Sequence, residues 1–91
     1  MRAVVLCLVL VVVGACGSAQ SAICKKYIAC EQAYEKASAT GPVDLTQYEA
    51  SGVCWQSDAN AQLCDQQCTD GVTAVRQAAT AANLDVAACR Q

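Results

Sequence analysis

Eight of the 91 residues are cysteine and none is histidine, so the chemistry open to this chain is first of all the chemistry of sulfur. Cys7 and Cys16 fall in or beside the apolar opening, while Cys24, Cys30, Cys54, Cys64, Cys68 and Cys89 are spread through the remainder. Such thiols can exchange electrons, hold a metal or form disulfides. A dithiol oxidoreductase needs a Cys-x-x-Cys pair with a lowered thiol pKa, and haem attachment needs Cys-x-x-Cys-His; neither motif occurs. Four thiolates from Cys24, Cys30, Cys64 and Cys68 would satisfy zinc only if reduced and compactly spaced, yet Cys24 and Cys30 stand six residues apart. Three disulfides are the better account, because a short chain without Phe cannot build a large hydrocarbon core. The absence of histidine also removes the Ser-His-Asp triad, the Cys-His pair, an imidazole base and the His-containing zinc sites.

Two carboxylates and two aromatic residues complete the inventory. Glu31 and Glu35 lie one helical turn apart, as a loose reading of a glycosidase pair would have it, but like charges on an exposed helix face ordinarily serve solvation. Trp55 follows Cys54 and is expected to pack over a disulfide; the competing reading, shared with Tyr48, is an exposed binding anchor. No catalytic residue, cofactor or metal site is therefore expected, and Tyr48 and Trp55 are the candidate binding surface. Lys25, Lys26, Lys36, Arg76 and Arg90 face eight carboxylates, so no basic patch for nucleic acid is present.

The chain opens with Met1-Arg2 and an unbroken apolar run from Ala3 to Val13. That run is short of the roughly 20 residues a membrane-spanning helix needs and suits a signal peptide. Val13-Gly14-Ala15-Cys16 closes it and resembles the lipobox of bacterial lipoproteins, in which cleavage precedes a cysteine bearing a diacylglycerol thioether and an acylated amine. The resemblance implies a signal peptide over 1–15, lipidation of Cys16, a tether over 16–20 and a cysteine-rich domain over 21–91. Gly17 and Ser18 take the place of the aspartate of an inner-membrane retention signal, which points to the outer membrane. An ordinary secretory cut after Ala19 is the alternative, and both leave the same six cysteines for the domain.

Helical periodicity organises the rest. Ser21 is a good N-cap for a helix running to about Thr40, where Gly41-Pro42 stops it; Ile23, Tyr27, Cys30, Tyr34 and Ala37 share a face, with Cys24 about 100° to the side. Asp44 and Gln47 read as a capping box for a short helix through Leu45, Tyr48 and Ala50, ended by Gly52 in a left-handed conformation, after which Val53-Cys54-Trp55 is extended. Ser57-Asp58 starts the longest helix, whose stripe of Ala61, Cys64, Cys68, Val72, Val75, Ala79 and Ala82 ends near Asn83. Gly71 costs about 1 kcal/mol in a helix relative to Ala, so its place on the buried side suggests that it makes room for Tyr27 or Tyr34. The fold class is all-α: a small, disulfide-stapled antiparallel helical hairpin with a short intervening helix. In that arrangement geometry pairs Cys24 with Cys89, Cys30 with Cys68 and Cys54 with Cys64.

Cys24-x-x-Tyr27-x-x-Cys30, Gly52-Val53-Cys54-Trp55, Cys64-x-x-x-Cys68 and Cys89 together are similar to a group of small cysteine-rich exported lipoproteins of myxobacterial type. The resemblance implies a stapled helical domain and carries over no functional residues. The expected function is a lipid-anchored, non-catalytic envelope module whose partners are the membrane and an envelope protein or cell-wall component. The alternative is a freely secreted inhibitor or toxin-like helical peptide, although only Cys64 and Cys68 fit the paired Cys-x-x-x-Cys pattern of such peptides. An enzyme is the weakest of the three.

Overall fold

The structure, a computed structural model, describes residues 18–90; the expected signal peptide over 1–15 and the expected lipidation site at Cys16 lie outside them. Two helices dominate, α1 (Ala22–Ser38) and α2 (Asp58–Ala81). Each begins at a serine whose hydroxyl accepts from a backbone N–H three residues on: Ser21 from Cys24 and Ser57 from Asn60. These caps satisfy donors that the first helical turn leaves without partners, and Asp58 adds a carboxylate at the positive end of α2. Helix α1 stops before Gly41-Pro42, at Ala39, which takes a left-handed φ of 57° and returns its N–H to the Glu35 carbonyl. Asn83, at φ 58°, plays the same part after α2, and the Leu84 N–H reaches back to the Ala79 carbonyl.

The all-α, disulfide-stapled class expected from the sequence is what the structure shows, with one difference of direction. The helices run parallel. Ser18 meets Asp58, Cys24 is bonded to Cys68, Tyr27 lies on Gly71, and Cys30 shares a core cluster with Val75. Numbers rise together along both helices, whereas in an antiparallel hairpin they would run in opposite senses. The connection explains it: 19 residues separate Ser38 from Asp58, enough to travel back along the roughly 25 Å of α1 rather than turn tightly at its end.

Two of the three expected disulfides change with the direction. Cys54–Cys64 forms as expected, but the others are Cys24–Cys68 and Cys30–Cys89 in place of Cys24–Cys89 and Cys30–Cys68. In a parallel pair Cys24, not Cys30, is level with Cys68, at a Cα separation of 5.1 Å. Cys30 lies a turn and a half farther on, where the tail returns as a 3-10 turn at Ala87–Cys89. Cys24, expected beside the stripe, is therefore completely buried, while Ala37 and Ala82, expected within stripes, are exposed.

The returning segment is built from 3-10 turns at Thr46–Tyr48 and Val53–Trp55, the second standing where an extended bridge was expected. No capping box forms. Asp44 instead accepts from both the N–H and the hydroxyl of Thr46, two bonds that hold its carboxyl below the usual range. Gly52 has an ordinary φ of −75°, so it is not a left-handed stop. Its lack of a side chain serves close approach: a Cβ there would sit 2.2 Å from the Gln47 carbonyl oxygen. Buried residues form two clusters, one around Cys24, Cys54, Cys64, Cys68 and Trp55, the other around Cys30, Val75, Val86 and Cys89, with Tyr27 packed against both.

Candidate functional site

All six cysteines of the described domain are consumed in disulfides, so none presents a thiolate to a metal or a redox partner. Among the described residues no three His, Cys, Asp or Glu side chains gather in a way that would hold a metal ion. The sulfur builds the frame on which any site must be mounted.

Trp55, one half of the expected binding surface, is only 5% exposed and packs in the cluster containing Cys54 and Cys64. Its indole N–H donates to the Glu49 carbonyl at 2.9 Å and more weakly to that of Tyr48 at 3.3 Å. These bonds close the returning segment onto itself, and they answer the general requirement that a buried indole nitrogen find an acceptor. Tyr48 is half-buried, edge-on to Tyr27 with ring centroids 5.4 Å apart, and its hydroxyl donates to Gln67 on α2. Trp55 is thus a core residue, while Tyr48 stays partly exposed and carries its hydroxyl to Gln67.

Where that hydroxyl emerges there is a shallow groove of about 240 Å³ alongside the Cys54–Cys64 bridge. Val53 and Leu63, 50% and 61% exposed, supply its apolar lining, and the amides of Gln47, Asn60 and Gln67 its polar lining. Asn60 donates to the Val53 carbonyl, tying the returning segment to the first turn of α2. The lining holds no ionisable side chain, so the groove can bind by shape, apolar contact and amide hydrogen bonding but offers nothing for acid–base or nucleophilic chemistry. Leu63 went unremarked in the sequence, although a signal was there: it is the one large aliphatic residue on the otherwise polar side of α2, about 100° from Cys64.

The carboxylate pair lies elsewhere, toward the far end of α1. Partial burial, then a hydrogen bond that protonated Glu31 donates to Glu35, and the charge of Glu35, push the Glu31 carboxyl up to about 7. Glu35 also accepts from the Val43 N–H, fixing the chain just after α1. Burial, followed by the charges of Glu31, Tyr48 and Glu35, raises the Tyr27 phenol above its ordinary value. Glu31 lines neither the groove beside Cys54–Cys64 nor the cleft at the tail.

A second cleft of about 350 Å³ is flanked by Arg76, Asp85 and Arg90 near the tail. Both guanidinium groups are already engaged, Arg76 with the Cys89 carbonyl and Arg90 with Asp85, so they serve to hold the tail in place. No helix among the described residues is long and apolar enough to cross a membrane. No protein-family model matches the chain, and neither does any curated protein or solved structure.

Proposed function

We propose that this protein is a lipid-anchored, disulfide-stabilised helical module of the bacterial cell envelope that binds a partner without catalysing a reaction. The observation that carries the reading is the complete pairing of the six domain cysteines within one chain, a state maintained in oxidising compartments outside the cytosol. The lipobox-like Val13-Gly14-Ala15-Cys16 then supplies export and anchor, consistent with a place among small exported lipoproteins of myxobacterial type. Ser18 gives further support. Its hydroxyl donates to Asp58 at 2.7 Å, a contact that cleavage at Cys16 keeps and a secretory cut after Ala19 would discard. Its partners are the membrane and an envelope protein or cell-wall component, and the groove beside Cys54–Cys64, with its amides and aliphatic side chains, is a candidate contact surface.

The intact mass of the mature protein purified from membranes tests this directly. The expected value is that of a chain beginning at Cys16, increased by acyl and diacylglycerol groups and lowered by six hydrogens for three bridges. A chain beginning at Gln20 without lipid would establish the soluble, secreted alternative. Unlipidated protein in the cytosol with six alkylatable thiols would refute both.

A further inference from the structure

We infer that the end of the domain where both helices begin, with the patch formed by Val53 and Leu63, rests on the phospholipid headgroup surface. This rests on the lipoprotein reading and goes beyond it by naming the face that meets the membrane. The argument starts from tether length. An extended chain spans at most about 3.6 Å per residue, so Cys16 and Ser18 are separated by no more than about 7 Å between Cα atoms. Ser18 is already fastened to the domain through Asp58, and Gln20 donates to the Tyr48 carbonyl at 2.8 Å. No slack remains after Ser18.

The headgroup layer on each side of a bilayer is roughly 5–8 Å thick, as the difference between the full membrane and its hydrocarbon core requires. Acyl chains on Cys16 must lie in the hydrocarbon, and the following two residues cannot carry the domain clear of the headgroups. Because α1 and α2 run parallel, the anchor side contains the starts of both helices and the returning segment between Tyr48 and Ser57. An antiparallel pair would have sent one helix start to the opposite end.

The exposed aliphatic side chains agree with this placement. Among the described residues, three large aliphatic side chains stand exposed: Val53, Leu63 and Val43. Val53 is bonded through its carbonyl to Asn60 in the first turn of α2, and Leu63 follows Asp58 by five residues, about 7.5 Å along the axis. Val43 lies at the other end, held by Glu35. The groove that Val53 and Leu63 share contains amides and no ionised group, so its burial among headgroups desolvates no charge, and Gln47, Asn60 and Gln67 can donate to ester and phosphate oxygens.

Photolabelling in vesicles tests the assignment. The purified lipoprotein is reconstituted into phosphatidylethanolamine and phosphatidylglycerol vesicles containing a phospholipid with a carbene-generating group near the glycerol, and adducts are mapped by mass spectrometry of peptides. Val53 and Leu63 are expected to be labelled at least about threefold more than Val43, which serves as the internal reference. Equal labelling, or more at Val43, in protein whose intact mass includes lipid would overturn the inference and leave the lipoprotein reading standing. Absence of lipid mass would remove the lipoprotein reading and this inference with it. Protection of Val53 and Leu63 in a protein that sediments as a dimer would assign the patch to a second copy, and also overturn the inference.

Discussion

Gly71→Ala sets two well-known effects against each other at a place where the outcome depends on the helix pairing. Alanine is favoured over glycine inside a helix by about 1 kcal/mol, and Gly71 lies within α2, so the substitution alone should stabilise. A Cβ on Gly71, however, would stand 2.5 Å from Cε1 of Tyr27 and 2.8 Å from Cδ1 and Cζ. Those atoms belong to a ring, not to the end of a flexible chain. Retreat is difficult, because Cys24–Cys68 joins the helices three residues before both partners with a Cα separation of 5.1 Å. Turning the ring away would forfeit its edge contact with Tyr48. Overpacking costs about 1–3 kcal/mol, and contacts this short with a ring held on both sides belong in the upper half of that range, so the net effect should be a loss of about 1–2 kcal/mol. For a domain of this size that lowers Tm by about 4–16 °C. Urea and thermal unfolding with the disulfides intact would measure it. The decisive comparison is the same substitution in a Tyr27→Ala background, where the obstruction is gone and Gly71→Ala should stabilise by about 1 kcal/mol, a coupling of about 2–3 kcal/mol. Stability unchanged or raised in the otherwise native protein, or the same sign in both backgrounds, would refute the reasoning.

Four other expectations can be checked with the same unfolding measurements and a peptide map. Gly52→Ala should destabilise more than Gly71→Ala, because its Cβ would meet the Gln47 backbone carbonyl, which has no rotamer to escape into. Ala39→Gly should stabilise by about 1 kcal/mol by relieving a left-handed residue that carries a Cβ. A non-reduced peptide map should give Cys24–Cys68, Cys30–Cys89 and Cys54–Cys64; replacing the last pair by alanines, with a closed loop of 10 residues, should cost about 2.7 kcal/mol, against about 4 for Cys24–Cys68 with its loop of 44. Since the Glu31 carboxyl is raised in the folded protein, its contribution is full below its ordinary value of 4.5 and is lost as pH rises through about 7; the loss should be roughly 1 kcal/mol after allowance for solvent screening, and Glu31→Gln should flatten stability between pH 5 and 8.

Features set by local physics were legible in the sequence. Serine caps at Ser21 and Ser57, the buried stripe from Ala61 to Ala79, the need for space at Gly71 and the short-range Cys54–Cys64 bridge all depend on residues near one another in sequence or on one helical face. Direction was not legible, since periodicity tells which face of a helix is buried but says nothing of which way its neighbour runs. The disulfide pairing inherited that gap: Cys24 and Cys30 exchange partners when α2 is reversed. Gly52 was misread for a similar reason, its role being set by the approach of Gln47 and not by its own backbone angle. The groove was only half visible. Tyr48 touches its rim through Gln67, while Val53 and Leu63 became neighbours only when the returning segment folded onto the start of α2.

The parallel arrangement is one that helix packing alone does not favour, and this bears on what the disulfides do. Side-by-side parallel helices bring like ends of their dipoles together, and the stripe of α2 offers alanines at Ala61 and Ala79, which grip a neighbour weakly. The largest completely buried side chains are Cys24, Cys30, Cys54 and Cys68, so the centre of the core is sulfur held by covalent bonds. Each bridge fixes a different part of the topology. Cys54–Cys64 fastens the returning segment to α2, Cys24–Cys68 sets the two helices level, and Cys30–Cys89 closes the tail over α1. Apart from the bridges, the level of the two helices is marked by the seating of Tyr27 on Gly71 and its edge contact with Tyr48. The bridges therefore lock the direction, and the direction in turn gathers Ser18, the two helix starts, Val53 and Leu63 toward one end of the molecule.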